Sequence, residues 1–331
     1  MEMDRVLICS QSFGKYVKSG LELLKKNNCE IILNELGRSF REDDFLKYIE
    51  NVKGIIVSMD EVNKKVLEAG KELKVISVHG VGYNKIDVDF ATKKGIYVTN
   101  VSGSKISAIA VADLTFALLL SIARNIPLAN KMVKNGIWKR IIGTNVGNKT
   151  IGIIGSGRIG VEVIKRASGF EMEILVYDIV KKQDLIKNYK LKYTTFDYLL
   201  KNSDFICIHV PLTSDTEKLI GSRELELMKP SAFLINTSRG EVIDEKALYN
   251  ALKENKIAGA AIDVFDPEPP QLSNPLLNLD NVITTPHYGS HTFESLEEVD
   301  YISARNVVDV LKGKKPINQL NNPNIGSFKS T

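Results

Sequence analysis

The chain has 331 residues with a formal charge of +4, 25% charged and 44% hydrophobic residues, ordinary globular values that exclude a disordered or fibrous chain. Lysine and arginine form no long stripe, so charge supports neither a nucleic-acid nor a membrane-surface partner. Cys9, Cys29 and Cys207 lie far apart without metal spacing; buried reduced thiols are the favoured reading, and a start lacking a signal-peptide pattern makes the cytoplasm the expected location.

The length exceeds the usual single-domain range, so two domains are expected. Residues 5 to 100 repeat a short apolar run followed by an amphipathic segment, the runs being Val6 to Cys9, Glu30 to Leu33, Gly54 to Ser58, Lys74 to Val78 and Ile96 to Thr99. That alternation predicts a small parallel sheet with helices outside. Its fourth strand leads into His79-Gly80-Val81-Gly82-Tyr83-Asn84, at the strand end where open α/β sheets place ligands; a tight turn alone explains these glycines equally well. His79 by itself reads as a structural loop histidine.

Val101 to Ser104 is a small polar break, read as the crossing to the second domain, with Ser104 as a helix N-cap. Ile106 to Ala123 is almost wholly apolar apart from Asp113. It falls short of the roughly 20 residues of a membrane span, which favours a helix buried in a core or subunit interface. Pro127 is expected to end or kink it. Residues 128 to 149 read as a polar arm, and Trp138 on it fits either a partner surface or packing on its own domain.

Residues 150 to 178 organise the chain. An apolar run, Ile151 to Ile154, meets Gly155-Ser156-Gly157-Arg158-Ile159-Gly160, then a helical pattern, then Glu173 to Tyr177 and Asp178. Strand, glycine turn, helix, strand and acidic residue in that order make a dinucleotide-binding unit. Gly155 makes the tight turn, Gly157 admits a pyrophosphate to the backbone, and Gly160 lets the helix pack closely on the strand. The pyrophosphate would meet the N-terminus of the helix that starts near Arg158. Asp178 would hydrogen-bond the ribose hydroxyls and repel a 2′-phosphate, so the cofactor reads as NAD rather than NADP. Lys181 and Lys182 are taken as solvated loop charges.

Strand-like runs then continue at Lys192 to Thr194, Phe205 to Val210, Ala232 to Asn236, Ala258 to Val264 and Asn281 to Thr285, with helices such as Thr195 to Lys201 and Asp244 to Glu254 between them. The predicted fold class is α/β with two doubly wound parallel-sheet domains, residues 101–289 forming the second. A last amphipathic helix, about 291 to 312, is expected to pack on the first domain, made of 1–100 with 290–331, and Pro316 to Thr331 to be loosely ordered.

Three strand ends in the second half carry titratable groups: Asn236 to Gly240 with Arg239, Asp263 to Pro269 with Glu268, and Thr284 to Gly289 with His287. All lie at C-terminal strand edges, as does the glycine turn, so they can converge. Oxidation of an alcohol by NAD needs a base for the hydroxyl proton and the reverse reaction an acid; histidine suits both near neutral pH. A carboxylate beside it orients the ring and favours its protonated form. An arginine offers a permanently charged fork for a substrate carboxylate. Singly, Arg239 could cap a turn, Glu268 could be a solvated charge and His287 could bond a backbone carbonyl; His209 and His291 are read as structural.

Together these motifs resemble the D-2-hydroxyacid dehydrogenase family, which includes phosphoglycerate, glycerate (hydroxypyruvate reductase) and D-lactate dehydrogenases. The likeness covers about residues 50 to 315 and rests on Gly80 to Asn84, Gly155 to Gly160, Asp178, Val210-Pro211-Leu212-Thr213, Asn236 to Gly240, Asp263-Val264-Phe265 with Glu268-Pro269, and Thr285-Pro286-His287. It implies a flavodoxin-like substrate domain and a Rossmann NAD-binding domain, with His287 as acid/base, Glu268 as its partner and Arg239 as the anchor of the substrate's carboxylate and carbonyl. It further implies that the Val81 and Gly82 amides hold that carboxylate and that Asp263 contacts the nicotinamide carboxamide. Val210, Pro211, Thr216, Thr237, Ser238 and Gly289 would line the cofactor with Arg158 and Ile159, residues 101–149 would form a homodimer interface, and the first domain would close on the second around substrate.

Phosphoglycerate dehydrogenases that resemble this chain often carry an Arg-Ser pair after the third strand, where Val57-Ser58-Met59-Asp60 stands here; losing the arginine and gaining an aspartate disfavours a phosphorylated substrate. The chain also ends without the regulatory domain of longer phosphoglycerate dehydrogenases. A small 2-oxo acid such as hydroxypyruvate or glyoxylate is therefore expected, with 3-phosphoglycerate as the alternative. NAD-dependent co-repressors similar to these enzymes are an alternative of another class, disfavoured by the absence of long tails, and a methyltransferase would not require the Arg, Glu and His set.

Overall fold

The computed structural model describes residues 3–323, which form two compact units: one from the N-terminal residues up to Ser107 together with the chain from His291 onward, the other Ala108–Ser290. The first unit runs β1 (Asp4–Ile8), α1 (Ser19–Lys26), β2 (Cys29–Leu33), α2 (Glu42–Tyr48), β3 (Gly54–Val57), α3 (Lys64–Ala69), β4 (Val75–Val78), α4 (Val88–Lys93) and β5 (Tyr97–Thr99). All pairings are parallel, in the order β2-β1-β3-β4-β5, the flavodoxin-like arrangement. Every residue of β3 and β4 is buried, as a strand covered by helices on both faces requires.

Helix α5 (Lys105–Ala123) begins at the Ser104 cap, whose hydroxyl accepts from the Ser107 amide at 2.9 Å. It is long and apolar enough to cross a membrane, yet 61% of it is buried in the protein, with Phe116, Leu118 and Leu119 in the core of the second unit. Pro127 neither ends nor kinks it. The chain turns at Asn125, φ +54°, and Pro127 stands in the first turn of a separate helix, α6 (Ile126–Lys134), where its missing N–H costs nothing. The expected arm is thus helical up to Lys134 and irregular only beyond it. Trp138 and Ile142 there are 91% and 92% exposed, so Trp138 does not pack on its own unit.

The second sheet contains β6 (Thr150–Ile154), β7 (Glu173–Tyr177), β8 (Lys192–Tyr193), β9 (Phe205–Ile208), β10 (Phe233–Asn236), β11 (Gly259–Ile262) and β12 (Val282–Thr284), in the order β12-β11-β10-β9-β6-β7-β8 and parallel throughout. The strand order reverses between β6 and β9, the Rossmann switch point. The intervening helices are α7 (Arg158–Gly169), α8 (Gln183–Tyr189), α9 (Phe196–Asn202), α10 (Ser222–Leu227) and α11 (Glu245–Lys253). Thr195 and Asp244 cap α9 and α11 by accepting from Tyr198 and Ala247 amides, which is why these helices start where the sequence places them.

The last helix, α12 (Phe293–Leu311), packs along α1 and the sheet of the first unit. The tail after it is not loose through Asn321: the Leu320 amide donates to Val98 O at 2.8 Å, and the Asn321 side chain accepts from the Val98 amide and donates to Ile96 O, tying the segment to β5. The remainder of the expected loose tail, from 324, lies outside the described residues.

Candidate active site

The glycine turn follows β6 at the switch point. Gly155 has φ +94°, and a Cβ on it would sit 2.6 Å from the carbonyl oxygen of His209 and 3.1 Å from the Val210 side chain, so glycine is required and Val210 lies against the turn. A Cβ on Gly160 would collide with the Gly155 carbonyl, because the first turn of α7 rests on the loop. At exposed Gly157 a Cβ would meet no protein atom within 4 Å, leaving open room beside the N-terminus of α7, where Arg158 is exposed and Ile159 half-buried. An anion fits there, facing unpaired helix N–H groups.

Asp178, just past β7, accepts from the amide and hydroxyl of Ser156 at 2.6 and 2.8 Å and from the Val180 amide at 2.8 Å. Burial alone raises its carboxyl, but those bonds and the charge of Lys182 outweigh it and hold the group below the usual carboxylate range. An anionic carboxylate is therefore in place beside the glycine turn. Lys182 is not merely solvated: its Nζ donates to Ser156 O at 2.6 Å and ties the loop after β7 to the glycine turn.

After β9, Thr216 closes the Pro211 loop, its hydroxyl donating to Pro211 O at 2.6 Å and accepting from the Thr213 amide. His209 is buried with neither ring nitrogen partnered, and burial pushes its pKa down to about 3. It is neutral at ordinary pH, which agrees with a structural role.

The three charged strand ends lie side by side on the same edge. After β10, Asn236 Oδ1 accepts from the Ser238 amide and hydroxyl while its Nδ2 donates to Arg239 O at 2.8 Å, and Thr237 meets Thr115 of α5 hydroxyl to hydroxyl at 3.0 Å. Half-buried Arg239 gives one Nη to Ser238 O at 2.6 Å, which leaves the rest of its fork for a ligand. Gly240 lies so near the backbone of Phe265 that any Cβ would overlap it. That close approach brings the Arg239 loop against the Glu268 loop.

His287 Nδ1 stands 2.7 Å from Glu268 Oε2, and Glu268 Oε1 accepts from the Phe265 amide at 3.0 Å. Burial alone raises the Glu268 carboxyl, but the hydrogen bond and charge of His287, the Phe265 amide and the charge of Arg239 together hold it below the usual range. The carboxylate is thus ionised beside the ring. His287 itself has φ +50°, a left-handed conformation uncommon outside glycine, which marks a residue held by its surroundings. Buried Asp263 supplies much of that hold. Its carboxylate accepts from the Thr285 hydroxyl and the Tyr288 and Gly289 amides at 2.6, 3.1 and 3.0 Å, and its carbonyl from the His287 amide at 2.8 Å. The alternation of apolar and polar runs carries no sign of this clamp.

Val81 and Gly82 belong to the first unit, in the loop after β4. The carbonyls of Gly80 and Val81 accept from Val101 N at 3.0 Å and Asn100 Nδ2 at 2.7 Å, whereas the amides of Val81 and Gly82 have no partner among the described residues. Asp60, the aspartate weighed against a phosphorylated substrate, is not a free charge. It is 1% exposed and accepts from the Phe40 and Ser58 amides at 2.7 and 2.9 Å, so its charge closes a turn; what disfavours a phosphate there is the missing arginine alone.

A glycine turn fit for a pyrophosphate, an anionic Asp178, and an imidazole paired with a carboxylate on the same sheet edge define a dinucleotide-dependent oxidoreductase. Residues 116–289 match the family described as D-isomer specific 2-hydroxyacid dehydrogenase, NAD binding domain. The chain is 44% identical over 286 residues to a glyoxylate reductase of Thermococcus litoralis, covering 83% of this chain and 86% of that one. It is 44% identical over 299 residues to a D-3-phosphoglycerate dehydrogenase of Methanocaldococcus jannaschii, covering 89% of this chain and 56% of that one. The solved structure of D-lactate dehydrogenase from Aquifex aeolicus, complexed with NAD and lactic acid, aligns with a TM-score of 0.83 at 31% identity over 97% of this chain and 100% of that one. The chain belongs to the D-2-hydroxyacid dehydrogenase family and is an NAD-dependent oxidoreductase of small 2-oxo and 2-hydroxy acids.

Proposed function

We propose that the protein reduces glyoxylate or hydroxypyruvate with NADH to the corresponding 2-hydroxy acid, with Arg239, Glu268 and His287 as its chemical groups. The pairing of His287 with ionised Glu268 at 2.7 Å carries this reading. When bound, the reduced nicotinamide supplies the hydride to the substrate's carbonyl carbon. His287 gives its proton to the carbonyl oxygen, and Glu268 favours the ring form that has that proton to give. Arg239 pairs with the substrate carboxylate and draws charge from the carbonyl. The Val81 and Gly82 amides, unpaired among the described residues, are donors for a substrate carboxylate. Asp263, Thr237, Ser238 and Gly289, with Val210, Pro211 and Thr216, border the nicotinamide end of the cofactor.

The similarity to glyoxylate reductases and the lack of an arginine in the stretch Val57-Ser58-Met59-Asp60 favour a small unphosphorylated acid. A second reading, 3-phosphoglycerate dehydrogenase, draws on the equal identity to the Methanocaldococcus jannaschii enzyme. Rates of NADH consumption across a panel of 2-oxo acids, against NAD reduction with 3-phosphoglycerate, separate the two. Faster turnover of phosphoglycerate reverses the order.

Glu268→Gln is expected to retain a bond to His287 but remove the negative charge that favours the imidazolium. Without that charge the imidazolium gives up its proton more readily, so the limb of the kcat/KM profile set by the imidazole moves to lower pH. A limb that stays in place counts against the pairing.

The proposed assembly is a homodimer through the 101–149 region, supported by the exposure of Val133, Ile137, Trp138 and Ile142. Sedimentation of the Trp138→Asp, Ile142→Lys double variant should show a lighter particle than the parent, and equal masses refute the interface. Unpaired, buried cysteines support a reducing compartment such as the cytoplasm.

A further inference from the structure

One buried titratable pair has no part in the chemistry described so far. His79 follows β4 and immediately precedes Gly80, the first residue of the proposed carboxylate loop. Its Nε2 lies 2.6 Å from Oδ1 of Asp300, a fully buried residue of α12 whose other oxygen accepts the Gly14 amide at 2.7 Å. Its Nδ1 faces the Ser10 hydroxyl at 3.1 Å, with the Ser12 hydroxyl at 3.5 Å, and its ring meets Phe13 edge-on at 5.5 Å between centroids. The ring is therefore gripped on every side by the loop after β1 and by α12.

Burying a carboxylate is expensive, and an apolar pair could fill the same space without that cost. The geometry downstream shows what the pair accomplishes. The His79 amide donates to Val57 O at 2.6 Å, the Gly80 and Val81 carbonyls are held by Val101 and Asn100, and the Asn100 carbonyl accepts from Asn306 Nδ2 of α12 at 3.2 Å. Two residues of α12 thus anchor the loop, Asp300 through the His79 ring and Asn306 through Asn100. With the ring and both carbonyls fixed, the peptide planes from 79 to 82 have fixed orientations. The N–H groups of Val81 and Gly82 are left pointing in set directions without partners among the described residues.

We infer that His79, clamped between Ser10 and Asp300, is a positioning residue that preforms the Val81 and Gly82 amides to receive the substrate's carboxylate. The inference rests on the proposed role of those two amides. Donors held in place need no reordering when the anion arrives, so loosening them weakens substrate binding more than the proton and hydride transfers.

Steady-state kinetics with glyoxylate test this on the full chain, alongside NADH affinity by fluorescence titration and thermal unfolding. His79→Leu and Asp300→Asn are expected to raise KM for glyoxylate about tenfold, with kcat and NADH affinity within about twofold of the parent. His79→Gln, which keeps a donor for Asp300, should recover most of the loss. Should the single variants not fold, the double variant His79→Leu, Asp300→Leu leaves no buried charge and is expected to show the same raised KM. An unchanged KM in a variant that folds and binds NADH overturns the inference, as does a joint fall of kcat, substrate affinity and NADH affinity. A parent protein that consumes NADH with no 2-oxo acid instead removes the proposed function, and the role of His79 with it.

Discussion

His287→Gln lowers kcat for reduction of a 2-oxo acid by about 10²-fold or more, the usual contribution of a well-placed general acid, while NADH affinity stays within about twofold. The expectation follows from position and partner. The ring is fixed by a 2.7 Å bond to an ionised carboxylate, and its backbone is held in the left-handed region by the Asp263 clamp. Glutamine can fill the space and bond to Glu268, but it has no proton to give at neutral pH. The imidazole limb of the pH profile should vanish in this variant. A variant retaining more than about a third of the parent kcat would mean that another group supplies the proton.

Arg239→Met is expected to be more damaging in kcat/KM, by about 10³-fold, because both the ion pair to the carboxylate and the polarisation of the carbonyl go with the guanidinium. Arg239→Lys should fall between, about 10²-fold down, since a lysine keeps the charge and loses the planar fork. Arg239 also acts within the site, being one of the charges that hold Glu268 ionised. Its removal should therefore weaken the support that Glu268 gives to His287. Steady-state kinetics of the two variants decide the matter, and a lysine variant as slow as the methionine variant would show that charge contributes nothing on its own.

Much of this was legible in the sequence because parallel strands impose a simple rule: apolar runs of four or five residues alternate with amphipathic helices, and polar groups at their C-terminal ends share one edge. Arg239, Glu268, His287 and the Gly155 turn could be placed together on that rule alone. What the sequence hid were contacts that depend on which loop lies over which. Asp263 reads as the end of an apolar run, and only the structure shows its carboxylate gathering three donors from the loop that carries His287. Lys182 reads as a solvated charge, yet it reaches back 26 residues to Ser156. Asp60 reads as a charge that disfavours a phosphorylated substrate, but its carboxylate is buried against two backbone amides.

Pro127 and the tail up to Asn321 depart from expectation for a different reason. Proline breaks a helix only where an N–H was needed, and α5 has already ended at Ala123, four residues before Pro127. The tail is polar and short of hydrophobic residues, features typical of loose chain ends, but asparagine side chains substitute for strand partners: Asn321 makes with β5 the bonds another backbone would make. His79 keeps the structural reading, but its contacts were hidden. As a lone histidine it carries no signal, and its partner Asp300 lies 221 residues away.

In the proposed reaction with Arg239, Glu268 and His287, hydride reaches the carbonyl carbon of a 2-oxo acid and gives the D isomer for which the family is named. That course is tested most directly by supplying NADH deuterated at the transferable position of nicotinamide C4, with hydroxypyruvate as substrate, and identifying the product by mass spectrometry and chiral chromatography. Deuterium on C2 of D-glycerate is the predicted result. L-glycerate, or product without deuterium at C2, would contradict it.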